Sequence, residues 1–309
     1  VIASGWSAGG LVLKKLVREE LLEAFGQGKR DFQRVNLNGA DLQGCFLSSC
    51  NFAGASFLDA NLSGATLQES SFSRANLKDA TFAHADMKGA DLSWANACGA
   101  NFEGADLTRA KAHATDFSDA LLIRARFEET DCLGANMSGV NAPDIWMESA
   151  NLECVNFSDA CLIRANLRGV RGAWLDLSHA KLNWATMAWA QLEAGNFEGA
   201  DLTDVTLLAA NMSYSNMLNA NLGGANLDSA DLCAAAVPKS CMAIASLSSA
   251  RLSHQTYMRS EWRREDLRAW QLRGAMIVDL EAFSNEAQGD VREGESCLRD
   301  DARSVRALA

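Results

Sequence analysis

Large apolar residues recur along the chain at every fifth position. The series starts at Phe32, passes through Leu37 and Leu42, and runs to Ile277 without an insertion or deletion. It holds 50 positions, and 42 of them carry Leu, Phe, Met or Ile, so the phase is not chance. A small residue stands two places before each large one, often with Asn or Asp between them, and two mostly polar residues follow. Ala60-Asn61-Leu62-Ser63-Gly64 and Ala75-Asn76-Leu77-Lys78-Asp79 are typical words. A helix wants a period near 3.6 and a simple strand a period of 2. A strict five fits neither, and a fixed internal period marks a solenoid.

The flanks read differently. Leu11, Val12, Leu16, Leu21, Leu22 and Phe25 can share one apolar face, which predicts an amphipathic helix from Leu11 to Phe25. Gly26 and Gly28 suit its C-terminal stop. Such a helix would cap the unpaired edge of the first coil. At the other end the large residues stay in phase through Tyr257, Trp262, Leu267, Leu272 and Ile277. The small position fails there, at Gln255, Glu265 and Trp270, which predicts a terminal helix or a distorted last coil over Ser260 to Trp270. Beyond Asp279 the chain is charged and aperiodic, the pattern of a short helix and a disordered tail. The expected division is a leader and capping helix over 1–29, a repeat body over 30–277 that is regular to about 254, and a charged tail over 278–309.

The words resemble the pentapeptide-repeat family, whose pattern is [STAV]-[DN]-[LF]-[STR]-x. Gly28-Lys29-Arg30-Asp31-Phe32, leading into Val35-Asn36-Leu37-Asn38-Gly39-Ala40-Asp41-Leu42, is similar to the usual start of such a body. The resemblance implies an all-β solenoid, a right-handed quadrilateral β-helix in which four words make one square coil of 20 residues. The first and third residues of each word would then point inward and the other three outward. At ~4.8 Å per coil, about 12 coils would give a rod of roughly 55–60 Å. Residues 20 apart would stack, so Phe32, Phe52 and Phe72 should form one internal column. Ala142-Pro143, Gly172 and Val237-Pro238 break the pattern and are expected local irregularities, with Gly172 leaving a core position nearly empty.

Composition narrows the function. Net charge is −11, and residues 31–254 carry all of that imbalance, with 14 basic and 25 acidic side chains. An acidic rod should not bind nucleic acid through phosphates, and it suits a basic protein partner. No apolar run reaches the length of a membrane span, and no signal peptide is evident in the first residues. The first residue is not Met, so the chain reads as a fragment or a processed form. The nine cysteines show no C-x-x-C spacing and no His at ligand distance. Cys45, Cys50 and Cys132 fall at inward positions, as small core residues. A reducing, cytoplasmic setting follows, with no metal, no cofactor and no catalytic cluster in the repeats.

Sorting outward residues by twenties gives the rod unlike walls. Asp59, Asp79, Asp119 and Asp159 share one column, and Asp116, Asp176 and Glu198 share their wall. Only Lys78 and Lys239 oppose them. A second column reads Arg124, Asp144, Arg164, a candidate ladder of surface ion pairs. Beside it Leu121, Ile123, Cys161 and Ile163 make an outward apolar patch, within two near copies, 116–127 and 156–167, that lie 40 residues apart. Trp94, Trp174, Trp184 and Trp189 also point outward, on several corners.

These features favour a non-enzymatic binding or scaffold rod, with Leu121, Ile123, Cys161, Ile163, Arg124 and Arg164 contacting a protein partner. An end cap also leaves room for a homodimer. The family resemblance implies an alternative, because some members mimic DNA and inhibit or protect a type II topoisomerase. A third reading starts from Gly5-Trp6-Ser7-Ala8-Gly9, which matches G-x-S-x-G and resembles the nucleophile elbow of α/β-hydrolases. An elbow needs triad partners that this chain lacks, so the motif implies at most a hydrolase fragment fused to the rod.

Overall fold

The computed structural model describes residues 13–238, 245–260, 262, 266, 269–271 and 273–278. Each five-residue word contributes one parallel bridge and one tight turn, so long strands do not form. The residue before each large one pairs with its equivalent 20 positions on, and one such column runs from Asp31 through Asn51 and Ser71 to Arg251. The chain is therefore an all-β solenoid wound with a 20-residue register.

Backbone donors explain the period. In the word around Leu37, the Leu37 N–H donates to Ser56 O at 2.7 Å and the Gly39 N–H to Leu58 O at 2.8 Å, both in the next coil. The Ala40 N–H turns back to Leu37 O at 3.0 Å and closes the corner. The second corner residue takes a positive φ, 66° at Gly39 and 55° at Asp59, as a turn of this kind demands. Its neighbour's N–H is left for a side chain: the Asn38 N–H donates to Asn36 Oδ1 at 2.9 Å. That is the physical reason for Asn or Asp before the large residue.

The interior is lined as the pattern predicts. Phe32 stacks on Phe52 with ring centroids 5.6 Å apart, and Phe52 on Phe72 at 5.4 Å. Cys45, Cys50 and Cys132 are buried, and burial pushes the Cys50 thiol up to about 11. Polar residues at the small position are satisfied, since Thr115 and Thr130 each donate 2.8 Å bonds to a carbonyl in the preceding coil.

Of the expected irregularities, Gly172 departs from the reading and the Ala142-Pro143 word keeps its phase as expected. Gly172 leaves no void: a Cβ there would lie 3.3 Å from both Leu175 Cδ2 and Leu192 Cδ2, because Leu175 has taken a small position and fills the space. Ala142 is matched in the same way by buried Ile145. Pro143 occupies the turn position whose N–H the inter-coil ladder does not use, and its carbonyl still accepts from the Arg124 N–H at 3.0 Å. The Asn141–Cys161 bridge is intact.

The N-terminal helix is shorter than the apolar pattern indicated. Lys14–Lys15 (β1) pair in parallel with Val35–Asn36 (β2), and helix α1 spans Arg18–Gly26. The free edge of the first coil imposes strand pairing on the stretch that reads as helix. Leu21 is fully buried, with Leu16, Leu22, Ala24 and Phe25 packed on the core. Burying such a leucine is worth ~1.5–3 kcal/mol. Gly28 supplies the φ of +93° that turns the chain into the first coil.

At the other end Arg251–Leu252 (β3) pair with Met276–Ile277 (β4), at an offset of 25 residues instead of 20. Helix α2, His254–Arg259, opens this longer coil, earlier than the expected start at Ser260. Trp262 and Trp270 stack at 4.9 Å, buried against the core, and Trp262 Nε1 donates to Val237 O at 3.2 Å. The Ser7 motif, Lys239, Leu267, Leu272 and the tail after Asp279 lie outside the described residues.

Candidate interaction surfaces

The 20-residue register divides the outside into four walls, named here by their first large residues: Phe32, Leu37, Leu42 and Leu47. The Leu37 wall carries Asp59, Asp79, Asp116, Asp119, Asp159, Asp176 and Glu198. None of the seven forms an ion pair among the described residues. Asp116 and Asp176 serve the wall itself, accepting from Asn136 Nδ2 and Asn196 Nδ2 at 3.0 Å. Asp59, Asp79, Asp119 and Asp159 stand exposed at the corner, with φ between 55° and 59°. Asp119 reaches over the next residue in its column, so a Cβ on Gly139 would meet Asp119 Oδ1 at 2.6 Å.

The Leu47 wall is the opposite case. Lys88 Nζ lies 3.1 Å from Asp106 and 3.6 Å from Asp86, and Arg126 contacts Asp106 and Glu128. Burial pulls the Asp106 carboxyl up, but hydrogen bonds from Thr108 and Lys88 outweigh it and hold it below the usual range. On the Phe32 wall, His113 Nε2 lies 2.7 Å from Asp131.

The apolar patch sits on the Leu42 wall. Leu121 is exposed, and Ile123, Cys161 and Ile163 are half-buried. Pro143 lies in the Ile123–Ile163 column and extends the apolar strip. The Asp119 and Asp159 corner adjoins it, because each aspartate stands two residues before a patch residue, Leu121 and Cys161. The Arg–Asp–Arg ladder is only half formed. Arg164 grips Asp144 through Nε and Nη2, both at 2.6 Å, and holds that carboxyl below its ordinary range. Arg124 pairs instead with Glu103, 2.9 Å away and 21 residues back.

The repeat architecture matches a known pattern. The pentapeptide-repeat family matches in eight copies, with stretches at 31–68, 55–93, 85–122, 105–141, 115–153, 134–169 and 150–187, together half of the chain. The chain is a pentapeptide-repeat protein. Its solved relatives include HetL, a pentapeptide-repeat protein involved in heterocyst differentiation regulation from the cyanobacterium Nostoc, at 30% identity and a TM-score of 0.56; the likeness covers 72% of this chain and 97% of HetL. A second Nostoc pentapeptide-repeat protein, alr5209, is 35% identical over 34% of this chain and 84% of its own, with a TM-score of 0.31. QnrB1, a plasmid-mediated fluoroquinolone resistance protein, is 16% identical over 72% of this chain and 97% of its own, with a TM-score of 0.29, a likeness too slight to bear on function. No curated protein matches in sequence.

In this pentapeptide-repeat protein the corners also hold aromatics. Trp94, Trp174, Trp184, Trp189 and Tyr214 all sit at positive φ, between 55° and 64°, and all are about half exposed or more. A left-handed backbone on a non-glycine residue costs of order 1–3 kcal/mol, and these rings stay largely exposed there. Trp174, Trp184 and Trp189 occupy three corners of a single coil. The word pattern does not single out Tyr214, although it lies 40 residues after Trp174 in the same column. Trp146, on the Leu47 wall, is a further exposed aromatic. Among the described residues no group of His, Cys, Asp and Glu could hold a metal, and no helix is long and apolar enough to cross a membrane.

Proposed function

We propose that this protein is a non-enzymatic binding rod that docks a protein partner on its Leu42 wall. The observation that carries the reading is the continuity of two surfaces. The apolar strip of Leu121, Ile123, Cys161 and Ile163 adjoins the Asp119 and Asp159 corner, whose carboxylates have no ion-pair partner among the described residues. An apolar centre flanked by unpaired charge suits a partner with an apolar anchor and basic rim residues. Arg124 and Arg164 hold the far side of the strip, each already paired to a carboxylate. The 1–29 segment then serves as the N-terminal cap, 30–277 as the presenting body, and 278–309 as a charged tail. Changing Leu121, Ile123, Cys161 and Ile163 together to Ser tests this: partner capture should be lost while the melting temperature holds.

A second reading rests on the Leu37 wall. Its aspartates, none of them in an ion pair among the described residues, form an acidic strip that could occupy a basic DNA-binding groove, as a topoisomerase inhibitor would. Inhibition of DNA supercoiling by micromolar protein supports it, and no inhibition removes it.

A further inference from the structure

The corner residue Trp189 shows what an aromatic does at this position. The guanidinium of Arg168, in the preceding coil and 21 residues back, lies 4.4 Å from the centre of the Trp189 ring. Because the register repeats, the residue 21 before any corner aromatic occupies the equivalent place. For Trp174 that residue is Glu153, and for Tyr214 it is Glu193. Where Trp189 is supplied with a cation, Trp174 and Tyr214 are supplied with carboxylates, and neither Glu153 nor Glu193 forms an ion pair among the described residues.

Trp174 and Tyr214 also share one corner column, two coils apart, with Ala194 between them. Their backbones are thus separated by about 10 Å, two coil spacings, and the small alanine leaves the space between the side chains open. Trp174 is 59% exposed and Tyr214 53%. The columns on either side of the aromatic corner hold no Lys or Arg over these coils; Arg171, beyond the Glu153–Glu193 column, is the nearest cation and forms no ion pair among the described residues, while Asp176 and Glu198 add negative charge on the Leu37 side. A cation between two aromatic faces, with carboxylates at its edge, gains from both ring quadrupoles and opposite charge. A planar guanidinium suits this better than an ammonium because it stacks.

We infer that Trp174 and Tyr214, with Glu153 and Glu193, form a clamp for an arginine side chain on a basic segment of a partner protein. The inference rests on the binding-rod reading but uses a different corner from the Leu121 patch.

The test uses the full chain and an eight-residue amidated peptide of alternating Gly and Arg, titrated by calorimetry at physiological salt, with its Lys counterpart in parallel. The Arg peptide should bind more tightly than the Lys peptide. Trp174→Asn and Tyr214→Asn should each weaken it about tenfold, and Glu193→Gln severalfold, while Tyr214→Phe retains most of the binding. Trp184→Asn, at the diagonally opposite corner, should leave the affinity unchanged. Asn tolerates the left-handed backbone, so these variants should melt no lower than the parent. The proposal is overturned if the peptide fails to bind at millimolar concentration, if Trp174→Asn and Tyr214→Asn bind like the parent, or if Trp184→Asn loses as much. The four-Ser variant of the Leu121 patch should bind the peptide normally, so the two surfaces can fail separately.

Discussion

Leu175 fills the interior that Gly172 vacates, three residues away around the same corner. A Cβ on Gly172 would already touch Leu175 Cδ2 at 3.3 Å. Large and small residues have exchanged places within one turn, and the core stays closed. Leu175→Ala should open a cavity and cost ~2–5 kcal/mol. Gly172→Leu should overpack and cost ~1–3 kcal/mol. The double variant restores the ordinary word and should be markedly more stable than the two losses summed, a coupling that urea unfolding of all four proteins measures. Additive losses would show that Leu175 does not occupy the Gly172 space.

The solenoid and its inward positions were legible in the strict period of five, and the four-word coil that sorts them into columns in the resemblance to the pentapeptide-repeat family. What the period could not show lies off the columns. Arg124 reaches diagonally to Glu103 instead of along its column to Asp144. Lys14 and Lys15 look like helix surface, yet the open edge of the first coil recruits them as a strand. Leu252 and Ile277 keep the five-residue phase although the last coil is one word longer, since a multiple of five does not reveal how many words make a turn. The aromatic corner was visible only as scattered tryptophans until the positive φ and the Arg168 contact gave the position a meaning.

Acid should weaken the rod through identified carboxylates. The native carboxyls of Asp106, Asp131, Asp144 and Asp201 all lie below their ordinary range. A depressed native value contributes stability that is present above the unfolded-state value, near pH 4, and is lost as pH falls through the native value. Asp106→Asn keeps the side-chain oxygen that accepts from the Thr108 N–H but cannot titrate. It should cost ~0.5–1.5 kcal/mol at pH 7. Its unfolding free energy should fall less than the parent's between pH 5 and pH 2. Equal slopes would place the acid sensitivity elsewhere.

Trp174→Asn should raise stability, by up to about 1 kcal/mol, because it relieves a left-handed tryptophan and removes little burial. A lowered melting temperature would mean that the exposed ring supports the fold.

Gly139→Ala should be destabilising for two reasons: its φ of 66° and the approach of Asp119 Oδ1. The left-handed backbone alone accounts for ~1–2 kcal/mol. In an Asp119→Ser background the penalty should shrink toward that figure. An unchanged penalty would mean that the aspartate moves aside freely.

Docking of a partner protein on the Leu42 wall is the proposed work of this rod. Its most direct test is comparative capture from cells that make the protein, using the parent, the Leu121, Ile123, Cys161 and Ile163 to Ser variant, and a control with four outward substitutions on the Phe32 wall. All three should melt alike. A partner should be retained by the parent and the control and be missing from the patch variant. Retention of the same partner by all three would contradict it.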